Sequence, residues 1–196
     1  GYKASQLNTT GTTNTSVGAF SLQYNTTGAN NTAVGYSALD ANTTANNNTA
    51  IGRSALGANT TGAQNTAVGR GSMDTNTTGG NNTAVGYQAM EANTTGGLNA
   101  ALGREALYKN TEGSQNTACG TYTLYENLTG SENTAVGYVA LEKNTASYNT
   151  AVGSRALDLN TTGASNVALG YQSLTSNTTA DHNTALGYGA MAANST

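Results

Sequence analysis

The chain has no proline and no tryptophan, and only one phenylalanine (Phe20), one cysteine (Cys119) and one histidine (His182) in 196 residues. Without proline, no backbone N–H is missing from an extended hydrogen-bonded ladder. A single cysteine excludes an internal disulfide. Apolar residues make up 36% and aromatics 6%, so any core has to be thin and built from Ala, Val and Leu. Charge is scarce as well: seven basic residues against ten acidic, a net of -3. That balance offers no basic footprint for nucleic acid and no polybasic patch for anionic lipid. No apolar run reaches membrane length, and these residues show no signal-peptide pattern.

What the chain has is period. A glycine recurs every seventeen residues at Gly1, Gly18, Gly35, Gly52, Gly69, Gly86, Gly103, Gly120 and Gly137. After a one-residue deletion the series resumes at Gly153, Gly170 and Gly187. A fixed period of this size marks a solenoid or fibre. Low charge with abundant Asn, Thr and Gly also describes disordered chains, but disorder gives no reason to hold an aliphatic residue at one phase. Residues 1–196 therefore read as a single repeat array.

Each phase has its own demand. Four residues before the glycine stands Asn14, Asn31, Asn48, Asn65, Asn82, Asn99, Asn116, Asn133, Asn149, Asn166 and Asn183. Seven after it stands Asn8, Asn25, Asn42, Asn59, Asn76, Asn93, Asn110, Asn127, Asn144, Asn160, Asn177 and Asn194. The residue before the glycine is aliphatic except at Cys119, which reads as a small buried hydrophobe. Four after the glycine is Leu or Met, apart from Ser5. Glycine is needed where φ is positive or backbones approach closely. Asn tolerates the left-handed region and bonds to local backbone. Stacked on its own kind, it can also form an amide ladder, a role assigned here to the column from Asn14 to Asn183.

The pattern predicts an all-β parallel β-solenoid of eleven to twelve coils. Each coil holds one strand at T-A-V, a second at A-L, and two turns. At about 4.8 Å per coil the rod is roughly 50 Å long. A helical array is disfavoured, because no segment free of Gly, Asn and Thr is long enough for a stable helix.

In a strand, Ala33 and Val34 point to opposite faces. An outer apolar stripe then needs a cover, which implies association with copies of this chain (a homo-oligomer, a trimer among the options) or with another chain. A wide coil with sharp corners is the alternative. Neither end reads as a solenoid cap, so the array is expected to be a stretch of a longer fibre, with anchoring and tip domains elsewhere.

Chemistry on the rod is sparse. His182 beside Asp181 reads as a solvated turn residue, and the scattered acids Asp40, Glu91, Glu105, Glu126 and Asp158 form no repeated pair. No enzyme activity, cofactor or metal site is expected. Asn8, Asn25, Asn42, Asn59, Asn76, Asn93, Asn127, Asn160, Asn177 and Asn194 each precede Ser or Thr by two, which makes them candidate N-glycosylation acceptors. Against that stands a backbone requirement, because Asn110 and Asn144 persist where Glu112 and Ala146 destroy the acceptor. Ranked threonines (Thr32, Thr43, Thr44) raise an ice-binding face. Tyr2, Tyr36, Tyr87, Tyr138, Tyr171 and Tyr188, alternating with Arg53, Arg70 and Arg104, raise sugar stacking.

The phrase N-T-A-V-G-Y-x-A-L-x-x-N-T-T-G, at Asn31–Thr44 and Asn82–Gly96, resembles shaft repeats of phage-type tail fibres and repeat regions of bacterial surface fibres. Its N-T-A-V-G core is similar to the S-V-A-I-G core of trimeric autotransporter adhesin heads, which use a shorter repeat. The resemblance implies a non-enzymatic structural protein of an extracellular or virion fibre, serving reach, attachment or surface presentation. A glycan- or ice-binding solenoid surface is the alternative.

Overall fold

The computed structural model describes residues 1–193 as a parallel β-solenoid. Eleven three-residue strands stack in sequence order among these residues, from β1 (Thr15–Val17) and β2 (Thr32–Val34) to β10 (Val167–Leu169) and β11 (Thr184–Leu186). Like residues pair with like: Ala33 faces Ala50 and Val34 faces Ile51 across adjacent coils. Ten such pairings at about 4.8 Å give roughly 48 Å of stacked sheet.

The predicted second strand does not form. From Gly35 onward φ alternates in sign, with Gly35 at 140°, Ser37 at 52° and Leu39 at 50°. Alternation of this kind breaks the pleat, so Ala38 and Leu39, neighbours in sequence, are both buried. A strand would have sent one of them outward. The inter-coil ladder continues without β geometry: the Leu39 amide donates to the Ala55 carbonyl at 3.0 Å, and the Ser37 amide to Ala19 at 3.0 Å. The core is therefore a single file of Leu22, Leu39, Leu56, Met73, Met90, Leu107, Leu124, Leu141, Leu157 and Leu174, all 0% exposed and lined by alanine columns. Each such side chain contributes about 1.5–3 kcal/mol by leaving water.

The aliphatic residue before the glycine is not core. Val17, Ile51 and Leu102 are exposed on the outer face of the sheet, and Cys119 in the same column is half-buried rather than enclosed. The repeat glycine itself is forced by geometry: at Gly69, φ is 133° and a Cβ would overlap the Gly86 carbonyl.

Asparagine supplies the second core. In the column seven after the glycine, side-chain amides donate to the predecessor's oxygen at every step but the one from Asn144 to Asn127, as in Asn42 to Asn25 at 2.8 Å, Asn76 to Asn59 at 2.7 Å and Asn93 to Asn76 at 2.7 Å. The column from Asn14 to Asn183 also ladders, with side-chain amides meeting at Asn116 to Asn99 (3.2 Å), Asn133 to Asn116 (3.1 Å) and Asn183 to Asn166 (3.1 Å). In that other column the side-chain oxygen accepts the backbone N–H of the next asparagine, as in Asn48 to Asn31 at 2.9 Å. Both columns converge on one turn carbonyl, since Asn48 and Asn59 each donate to Gly62 at 2.9 Å. Threonine adds a third row, with Thr60 Oγ1 donating to the Thr77 carbonyl at 3.0 Å.

The deletion falls in this turn. Asn144 donates to Ala146, two residues on, at 2.8 Å, whereas Asn127 reaches Gly130, three on, at 2.9 Å. Strand register survives, with Thr134 opposite Thr150, but the buried Asn127 Oδ1 is left without a partner.

Two stability predictions follow from this accounting. Asn76→Ala orphans the Asn59 oxygen and an Asn93 N–H, and should cost about 3 kcal/mol. Asn127→Ala, whose oxygen accepts nothing, should cost visibly less in the same urea unfolding series. Conversely, Leu98 is exposed at φ 61° in a positive-φ column where three other coils place Asn (Asn30, Asn47 and Asn81). Leu98→Asn relieves backbone strain without losing burial and should raise stability by about 1 kcal/mol; a lowered midpoint contradicts this.

Candidate functional site

The predicted acceptor asparagines are structural. Asn25, Asn42, Asn59, Asn76, Asn93, Asn127, Asn160 and Asn177 are all buried, and their Nδ2 atoms, where a glycan attaches, already donate to turn carbonyls and neighbouring amides. A glycan at Nδ2 would have to displace the ladder, so the folded coil does not present them. Asn8 is exposed yet donates to the Gly11 carbonyl at 2.8 Å. Asn194 lies outside the described residues.

His182 is exposed, and the Asp181 carboxylate accepts the Ala164 N–H at 2.6 Å rather than the imidazole. Among the described residues no group of three or more His, Cys, Asp or Glu is placed to hold a metal ion. No helix among the described residues is long and apolar enough to cross a membrane.

Two surfaces remain. The first is the outer face of the sheet. Because only the middle residue of each strand points inward, Thr32 and Val34 and their counterparts form two outward rows without a charged residue. A shallow apolar hollow of about 300 Å³ lies on this face around Val85, Leu102 and Cys119. The outer apolar stripe expected from the sequence is this column, with the Ala of T-A-V inward; Cys119, read as buried, lies on the stripe and is half-buried.

The second surface is a groove between the column two after the glycine and the column five after it. At Arg53, Gly71, Asp74 and Glu91 it is polar and encloses about 160 Å³. Burial raises the Asp74 pKa, the Glu91 charge adds to that rise, and Arg53 opposes it. Further along, at Glu105, Tyr122, Tyr125, Glu142 and Asp158, it widens to about 560 Å³. Aromatic rings gather here. Tyr108 and Tyr125 stack at 5.1 Å and 6°, and Tyr122 meets Tyr125 edge-on at 5.7 Å. Most nearby charges are paired: Arg104 with Glu105 at 2.9 Å, Arg155 with Asp158 at 3.0 Å and Lys109 with Glu126 at 2.7 Å. The exposed tyrosine column read from sequence is present, with Arg53 over the Tyr36 ring at 5.9 Å and Arg70 over Tyr87 at 5.7 Å. Of the aromatics that line the wide part, Tyr138 belongs to that column, whereas Tyr122 and Tyr125 stand two and five after the glycine, phases that the sequence reading did not single out.

Hydrogen bonding to the Glu91 carboxylate, then burial, pushes the Tyr108 phenol up to about 12. The folded state thus favours the neutral phenol. Its contribution is complete below pH 10.0 and is lost as pH rises to about 12. Burial raises the Tyr125 phenol as well, so an ultraviolet phenolate titration should show late steps of which Tyr108→Phe removes the one near pH 12; an unchanged titration in that variant contradicts the assignment.

The chain matches no protein-family model, no curated protein and no solved structure in these comparisons.

Proposed function

We propose that this chain is a structural rod, a shaft element of an extracellular fibre on a cell surface or virion that gives reach and presents what it carries. The observation that supports it most is the unbroken in-register stacking of eleven strands, reinforced by side-chain ladders that bind every coil to the next. Nearly every column is committed to holding the stack, which gives length and stiffness and leaves few positions for chemistry. The resemblance of the repeat to fibre shafts supports the same location and role.

The proposal includes lateral association with a second copy through the Thr-x-Val face. That face is uncharged and presents like rows to like rows. Ten intervals of about 4.8 Å by three residues of about 3.3 Å cover roughly 480 Å². Two such faces together bury about 1,000 Å², the lower bound of specific interfaces. Pairing through this stretch alone is accordingly weak and reversible.

Electron micrographs of the purified protein should show short straight rods, and oriented samples should diffract axially at about 4.8 Å. Sedimentation should show concentration-dependent association that Val85→Lys with Leu102→Lys abolishes. Compact particles lacking the axial repeat would contradict the rod, and association unchanged in the double variant would contradict the face.

A further inference from the structure

We propose that the wide part of the groove is a binding site for a neutral saccharide chain, a property separate from the rod's mechanical role. The site is assembled by local departures from the repeat. Along the column after the glycine, arginines cover the tyrosine rings: Arg53 covers Tyr36, and Arg70 and Arg104 cover Tyr87. At Tyr138 the flanking positions are Thr121 and Ser154, too small to reach over the ring, so its face stays free of the guanidinium contacts seen at Tyr36 and Tyr87. In the column five after the glycine, the Tyr108–Tyr125 stack stops because Glu142 takes the next place. The result is a groove of about 560 Å³ with tyrosines at its rim and wall and carboxylates beside them.

Charge selects the ligand. Arg104 engages Glu105, and Arg155 and the Thr175 hydroxyl engage Asp158, at 2.9, 3.0 and 2.5 Å. These carboxylates are already compensated and held in fixed orientation. Only Glu142 among the groove's acids has no ion pair within the described residues. A cationic ligand would need more uncompensated negative charge, and a polyanion would meet acids on both walls. A saccharide has apolar C–H faces that pack on tyrosine rings and hydroxyls that donate to carboxylates and accept from guanidinium. An elongated groove running along the rod suits a linear chain better than a single compact molecule.

The chain has no tryptophan, so its tyrosine emission can report binding directly. The probes are soluble cellohexaose, chitohexaose and maltohexaose, titrated into the full chain by fluorescence and calorimetry. At least one should bind, and Tyr138→Ala should weaken it about tenfold. Tyr36→Ala, in the same column but under Arg53, should leave it unchanged. Glu142→Gln keeps hydrogen bonding and removes charge, so it should change affinity by less than about threefold. A lysine-rich peptide serves as the competing probe. Binding of that peptide, lost in Glu142→Gln, assigns the groove to cations and overturns the proposal. So does the absence of binding across the three sugars, or sugar binding indifferent to Tyr138→Ala while circular dichroism shows the fold intact. None of these outcomes touches the rod, which is read by imaging.

Discussion

A buried primary amide has two donors and an oxygen, and each left unpaired away from water costs about 1–3 kcal/mol. Two asparagines per coil stand inside this protein. Their partners lie in the coils above and below and in the turn between them. That requirement fixes register more strictly than apolar packing does. A Leu column tolerates sliding by a fraction of a coil, whereas an amide column does not. The constraint also sets the spacing of the turn, because both asparagines of a coil must reach one carbonyl, as Asn31 and Asn42 reach Ala45 at 2.8 and 3.1 Å.

The ladders also explain how the coil bears its strain. Each carries non-glycine residues at positive φ, as at Ser37, Leu39 and Asn47, and each such residue costs roughly 1–2 kcal/mol. Leu39 and its counterparts accept that cost because only this backbone turns two consecutive apolar residues inward in a ring too narrow for a second strand. Pairing along both edges of every coil offsets it. Where the ladder loses a bond, between Asn127 and the shortened turn that starts at Asn144, the sheet register holds and the loss stays local.

The architecture was legible in the sequence because a strict period translates directly into stacking. Gly35 and the asparagine columns announced both the axis and the coil. What escaped was direction within a coil. A-L reads as strand by composition, and nothing in Leu39 signals a left-handed backbone, since leucine there is chosen for the core against its own preference. That Ala33 and Val34 face opposite ways was legible, but which of them is inward was not, because both are apolar and only the narrow ring selects the smaller side chain for its interior. The acceptor pattern at Asn42 looked like chemistry and is structure, because the amide that a glycan would occupy is the one that holds the turn. The groove at Tyr122 and Tyr125 was illegible because it arises from exceptions to the repeat, which period-based reading averages away.

The most direct measurement is solvent exchange of the asparagine side-chain amides, followed by NMR in the folded protein. The account predicts that Nδ2 protons of the buried columns, Asn25 to Asn177 and Asn31 to Asn166, persist long after those of exposed Asn46, Asn47 and Asn81 have exchanged. Uniformly fast exchange of all side-chain amides would mean that the asparagines do not bind coil to coil, and the account of what holds this rod together would be wrong.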